Sequence, residues 1–156
     1  MVNIVQDELF TVPTMPCLIV VTTNATVKNN GALVMGRGAA LWARDNIPHI
    51  DVECGILIDK HYDYYQSNHY GFGVVRDPRR EGKVGFGIFQ VKNRYYEKAD
   101  TNLIEYSVEC LRRYAEQNAD IHIRMNFPGI GNGKLSRELV EPMLEMLPDN
   151  VFVCYR

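Results

Sequence analysis

Short apolar runs, separated by polar turns and amphipathic stretches, set the expected architecture. Residues 2–5 read as a first strand. Residues 17–23, a continuous apolar run with β-branched side chains, read as a second strand covered on both faces. Residues 6–10 connect the two, with Pro13 and Pro16, and Asn29, Asn30 and Gly31 mark a turn. Residues 38–46 predict a short helix that stops ahead of Pro48, because the residue before a proline avoids the helical region. Residues 54–58 read either as a short strand or as the end of a helix. Residues 59–68, rich in Tyr, His and Asp and without a clear period, read as a surface loop near a ligand site.

In the second half, residues 70–76 and 84–91 alternate large residues with glycine. Asp77, Pro78, Arg79, Arg80, Glu81 and Gly82 form a turn between them, which predicts a β-hairpin. Residues 99–117 carry apolar side chains at helical spacing, with Asp100 as the N-cap. Residues 121–125 and 151–155 predict two further strands. Residues 136–147 predict an amphipathic helix capped by Ser136, in which Pro142 is a misfit that implies a kink. Strands that alternate with helices, plus one hairpin, predict an α/β fold: a three-layer α/β/α sandwich around a mixed central sheet, in a single domain over residues 1–156.

Composition narrows the function classes only a little. A net charge of −2 argues against a protein that coats nucleic acid. No apolar run reaches the roughly 18 residues of a membrane span, and residues 1–10 lack the basic and apolar regions of a signal peptide. Cys17, Cys54, Cys110 and Cys154 lie far apart in apolar contexts and read as reduced core residues of a cytoplasmic protein. His49, His61, His69 and His122 show no ligand spacing, so neither a metal nor a cofactor is expected.

The candidate chemistry lies in two glycine loops, each following a strand and preceding a helix. The first, MGRGAA, leads into the helix at 38–46, whose leading N–H groups suit a phosphate or diphosphate. It is neither a dinucleotide fingerprint, for want of a ribose-binding acid, nor a P-loop, for want of GK[ST]. The second is FPGIGNG, and two such loops meeting at the carboxyl ends of strands form a clamp for one diphosphate. Asn24, directly after the second strand, reads either as a turn cap or as an amide that orients a ribose hydroxyl. Lys92 reads either as an exposed lysine at a strand end or as a nucleophile or cation beside a sugar. Arg76, Arg79, Arg80 and Lys83 read as a solvated hairpin tip or as a contact to a polyanion.

On the strand ending at Asn24 and the loops MGRGAALWA and FPGIGNGKLS, the chain resembles a macro domain, the ADP-ribose-binding module, over residues 4–155. The MG-x-G-x-A spelling and a lysine after the middle strand are most similar to the branch that removes ADP-ribose by cutting its glycosidic link. That branch includes the terminal ADP-ribose hydrolase and the antitoxin that frees ADP-ribosylated thymidine in DNA. The VTTN, MGRG and FPGIGNG spellings are also similar to small macro-domain proteins of bacteriophages. The resemblance implies ADP-ribose or an ADP-ribosylated molecule as partner, with nucleic acid entering only as a modified substrate.

Position by position, the resemblance implies that Glu8 or its neighbour Asp7 accepts from the adenine amino group, beside backbone contacts from Leu9. Asn24 faces the distal ribose. Gly36, Arg37, Gly38 and Ala39 form the first phosphate loop, and Gly129, Ile130, Gly131, Asn132 and Gly133 the second. Lys92 corresponds to the catalytic lysine, which attacks the anomeric carbon. The implied activity is hydrolysis of ADP-ribose conjugates. The alternatives are a phosphatase acting on ADP-ribose 1″-phosphate and a non-catalytic module that binds ADP-ribose or a signalling nucleotide. One departure stands out: Ser136 occupies the position of the branch's aspartate. A hydroxyl does not exchange a proton as a carboxylate does near neutral pH, so the lysine mechanism then needs a carboxylate from residues 59–63.

Overall fold

The computed structural model describes residues 1–80 and 84–156. Its centre is one mixed sheet of six strands: β1 (Asn3–Gln6), β2 (Cys17–Thr23), β3 (Phe72–Arg76), β4 (Gly85–Gln90), β5 (His122–Asn126) and β6 (Val151–Tyr155). Their spatial order is β1-β6-β5-β2-β4-β3. All neighbours run parallel except β3, which pairs antiparallel with β4 at one edge. This is the expected hairpin. Glu81, Gly82 and Lys83, at its expected tip, lie outside the described residues.

The apolar run of β2 is continuous because both of its faces are covered. Leu18 and Val20 enter one core layer and Cys17, Ile19 and Val21 the other. The first layer is closed by α3 (Thr101–Gln117) and by α4 (Arg137–Val140) with the 3-10 turn Glu141–Leu144. The second is closed by α1 (Gly38–Asn46) and α2 (Ile50–Tyr65). The α/β/α sandwich expected from the alternation of elements is therefore what the chain forms.

Three expectations change. Of the two readings of residues 54–58 the helical one holds, since they lie within α2, but residues 59–65 are not a loop and form its last turns. The buried stripe Ile50, Cys54 and Ile58 ends there, so the exposed turns beyond it carry no apolar period to read. The helix expected over residues 136–147 is only four residues of α-helix before the 3-10 turn. Pro142 offers no N–H to an i−4 carbonyl and its ring crowds that carbonyl, so the chain tightens. The basic hairpin is also less free than its composition implies. Arg76 is held by Glu53 at 2.7 Å, and Arg79 by Asp120 at 2.6 Å. Among the described residues no helix is long and apolar enough to cross a membrane.

Candidate functional site

The five parallel strands end along one edge of the sheet, where their carboxyl-terminal residues line a cavity of about 1060 Å³. The strand order fixes the order of its wall. Asp7 follows β1, Tyr155 ends β6, Phe127 follows β5, Asn24 follows β2 and Lys92 lies just past β4. Four steps between strands, at about 4.8 Å each, separate the Asp7 end from the Lys92 end by roughly 19 Å. The cleft is therefore an elongated trough with an acidic, aromatic end and an amine end.

The two glycine loops form its middle. Gly36, Arg37, Gly38 and Ala39 line one side, and Gly129, Ile130, Gly131, Asn132 and Gly133 the other. Gly38 begins α1 at φ 59°, and a Cβ built there would lie 3.6 Å from the Asn132 amide nitrogen, so the loops face each other closely. Gly131, at φ 65°, has open space where a side chain would stand. The N-cap of α1, Arg37, makes no side-chain capping bond, and the first turn carries no acid. Asp100 and Ser136 cap α3 and α4 with their own side chains. α2 also lacks a side-chain cap, but Asp51 and Glu53 stand in its first turn, so the helix end facing the trough is left open to an anion.

At the amine end Asn24 is buried, and its amide works as a turn cap: Oδ1 accepts from Thr26 N at 2.8 Å and Nδ2 donates to Val34 O at 3.0 Å. One amide hydrogen and one lone pair remain for a ligand, so the cap and the sugar contact are compatible. Lys92 is half-buried beside it. Burial, and then the charge of Arg37, pull the Lys92 amine below the usual lysine range; Glu97 opposes this and Lys134 adds to it. The structure thereby supplies both conditions that lower an amine's pKa, a drier site and a neighbouring cation.

At the opposite end Asp7, Glu8 and Leu9 line the wall. Their partner is a residue the sequence pattern did not single out, Arg124 on β5. It is almost fully buried; its guanidinium donates to the Asp7 carboxylate at 2.9 Å, to Glu8 O at 2.7 Å and to Leu9 O at 3.2 Å. Arg124 and the Glu8 N–H hold the Asp7 carboxyl below its ordinary range. The exposed Glu8 carboxylate takes Arg156 at 3.0 Å. Aromatic surface gathers here as well. Phe10 and Trp42 stack at 3.7 Å between centroids, and the Arg137 guanidinium lies 4.2 Å above the Tyr155 ring. Planar faces beside carboxylates suit a heteroaromatic base that carries an amino group.

The expected carboxylate partner of Lys92 is not in the trough. Asp59 and Asp63 stand exposed on α2, and neither lines the wall. The Ser136 hydroxyl is occupied, accepting from Leu139 N at 3.3 Å. The carboxylate whose charge reaches Lys92 is Glu97, which itself accepts from Arg94 N at 2.7 Å.

Comparison of the backbone with solved structures identifies the architecture. The macrodomain of Mycobacterium tuberculosis DarG matches with a TM-score of 0.71 at 24% identity, over 99% of this chain and 97% of that one. The chain has the macrodomain fold. The macrodomain of Thermus aquaticus DarG matches at 0.64 and 21% identity, over 100% of this chain and 98% of that one. Thermosipho africanus DarTG, solved in complex with ADP-ribose, matches at 0.66 and 16% identity, over 90% of this chain and 38% of that longer one. No protein-family model matches the sequence, and no curated protein matches it. At these identities the likeness is one of macrodomain backbone. The residues that give this example its chemistry are those of its own trough.

Proposed function

We propose that the chain binds ADP-ribose along the trough and releases it from conjugates by cleavage at the anomeric carbon. The acidic, aromatic end takes the adenine, the two loops and the N-terminus of α1 take the diphosphate, and the distal ribose lies between Asn24 and Lys92. The macrodomain fold and a similar structure solved with ADP-ribose support the binding. The observation that carries the hydrolytic reading is the half-buried Lys92 amine, with its lowered pKa, at the end of the trough. As the free amine it attacks the anomeric carbon, and the bond to the attached group breaks with its electron pair. The leaving group takes up a proton from water, the sugar ring opens on the lysine, and a water molecule then hydrolyses the adduct to ADP-ribose and free lysine.

One observation favours a second reading. With Asp59 and Asp63 out on α2 and the Ser136 hydroxyl capping α4, no carboxylate among the described residues lines the trough beside Lys92, which suits a module that holds ADP-ribose without turning it over. Calorimetry with ADP-ribose, followed by product analysis on ADP-ribosylated thymidine, an ADP-ribosylated glutamate peptide and ADP-ribose 1″-phosphate, separates the readings. Release of ADP-ribose from a conjugate is expected. Lys92→Ala lowers that turnover by roughly three orders of magnitude while leaving ADP-ribose affinity largely intact. Turnover unchanged in Lys92→Ala rules out the lysine role, phosphate release alone makes the protein a phosphatase, and binding without product makes it the module. No ADP-ribose binding at all removes every one of these readings.

A further inference from the structure

The amine end is assembled around two buried polar side chains that do not line the trough, Tyr70 and Gln90. Both are buried, at 4% and 0% exposure, and their hydrogen bonds run to the two segments that carry Asn24 and Lys92. Tyr70 is the last residue but one before β3. Its hydroxyl donates to the Asn24 main-chain carbonyl at 2.8 Å and takes a hydrogen bond from the Thr23 hydroxyl. Burial pushes the phenol pKa far up, so it stays a donor at any physiological pH.

Gln90 ends β4. Its Oε1 accepts from Gly71 N at 3.0 Å, which fixes the orientation of the amide. Its Nε2 then faces Asn68 O at 2.9 Å, Asn93 Oδ1 at 3.1 Å and Lys92 O at 3.3 Å. The main chain on either side of Lys92 is tied in as well: Val91 N donates to Thr23 O at 3.0 Å, and Asn93 O accepts from Ala25 N at 2.7 Å.

Residues 68–71 therefore form a strut. It meets Asn24 through Tyr70 on one side and the turn at Lys92 through Gln90 on the other. We propose that Tyr70 and Gln90 are positioning residues, which act through the Asn24 carbonyl and the Lys92 main chain to set the spacing of the amide and the amine across the distal sugar. This rests on the reading of Lys92 as the group that attacks the anomeric carbon. A nucleophile displaced by about 1 Å loses roughly a hundredfold in rate while the remote diphosphate and base contacts keep the ligand bound. The signature of such a role is thus a fall in kcat at constant affinity.

The test uses the full chain with Tyr70→Phe, which removes one oxygen, and Gln90→Met, which keeps the length and removes the amide. Circular dichroism checks folding, and Tyr70→Phe carries the test where Gln90→Met does not fold. On a conjugate that the wild-type protein hydrolyses, kcat is expected to fall roughly tenfold in Tyr70→Phe and roughly a hundredfold in Gln90→Met, with the ADP-ribose Kd changed less than about twofold. NMR signals of the Asn24 side-chain amide and the Lys92 amine are expected to shift in the corresponding variant, the Lys92 titration moving up towards that of an ordinary lysine. Unchanged kcat in the folded variants overturns the proposal, as does a loss of kcat matched by an equal loss of affinity, which marks a merely structural role. If Lys92→Ala keeps full turnover, or the wild-type protein turns over no conjugate, the lysine reading fails on its own. The two NMR signals then decide the positioning, and signals unmoved in both variants overturn it.

Discussion

The two ends of the trough are held in opposite ways. At the acidic end, segment 7–9 is fastened by charge: Arg124 grips Asp7 and two carbonyls from within the sheet, and Arg156 reaches the exposed Glu8 carboxylate from outside. At the amine end the fastening is neutral and buried, through the Tyr70 hydroxyl and the Gln90 amide. Charge pairs at a wet surface loosen with salt and acid, whereas buried neutral hydrogen bonds do not. Neutral fastening also suits an end where the working group is itself an amine. A buried carboxylate in place of Tyr70 or Gln90 would add to the upward pull that Glu97 already exerts on the Lys92 pKa, whereas a hydroxyl or amide does not.

The sharpest way to break this contrast is to remove the acidic end's internal anchor. Arg124→Met leaves the Glu8 and Leu9 carbonyls without their donor, at a cost of about 1–3 kcal/mol of stability. Segment 7–9 then loses its register, and affinity is expected to fall for ADP-ribose and much less for ribose 5-phosphate. Thermal unfolding and calorimetry on the two ligands check this; equal losses for both place Arg124 outside base recognition. The Asp7 link also carries an acid dependence. Because the folded-state pKa of Asp7 lies below its unfolded value, its contribution is complete above the ordinary aspartate range and disappears as pH falls through the folded value.

A smaller effect sharpens the amine end. Arg37 lines the trough at the first glycine loop and also depresses the Lys92 pKa, second only to burial. Replacing it by glutamine should do two things at once. Affinity for ADP-ribose falls by about 0.5–1 kcal/mol, the size of an exposed ion pair. The rise of turnover with pH, which follows loss of the Lys92 proton and begins below the ordinary lysine value of 10.5, moves to higher pH. A pH–rate profile of Arg37→Gln that overlays the wild type shows that Lys92 is not the titrating group.

Much of this was legible in the sequence, for identifiable reasons. Strands with both faces buried announce themselves as unbroken apolar runs, so β2 and β6 were readable to the residue, as was α1 between its glycine and Pro48. The distal turns of α2 were not, because a helix that buries nothing beyond Ile58 leaves no period in its side chains. All of the residues singled out for the phosphate loops, the acidic end and the amine end line one cavity, because the parallel strands end together and both glycine loops lie at that edge. What escaped was the layer behind them. Arg124 stands between Ile123 and Met125, Gln90 between Phe89 and Val91, and Tyr70 before a glycine. A polar residue between two apolar neighbours is the available signal, yet its partners lie up to 117 positions away in the chain, where no local pattern can point.

The smallest expected effect tests the outer fastening. Arg156 and Glu8 are both largely exposed, and their 3.0 Å pair is open to counter-ions. Such a pair contributes well under about 1 kcal/mol, so Arg156→Ala should leave the unfolding temperature almost unmoved. Its place on the trough wall gives it a second role, since the guanidinium occupies the carboxylate that would otherwise be free to meet a base. Freeing Glu8 therefore makes ADP-ribose binding at low salt equal to or slightly tighter than wild type, and the difference vanishes at high salt as the pair is screened in both proteins. Calorimetry at two ionic strengths reads this directly. Weaker binding at both strengths shows instead that Arg156 itself touches the ligand, and the outer charge of the acidic end then belongs to recognition and not to fastening.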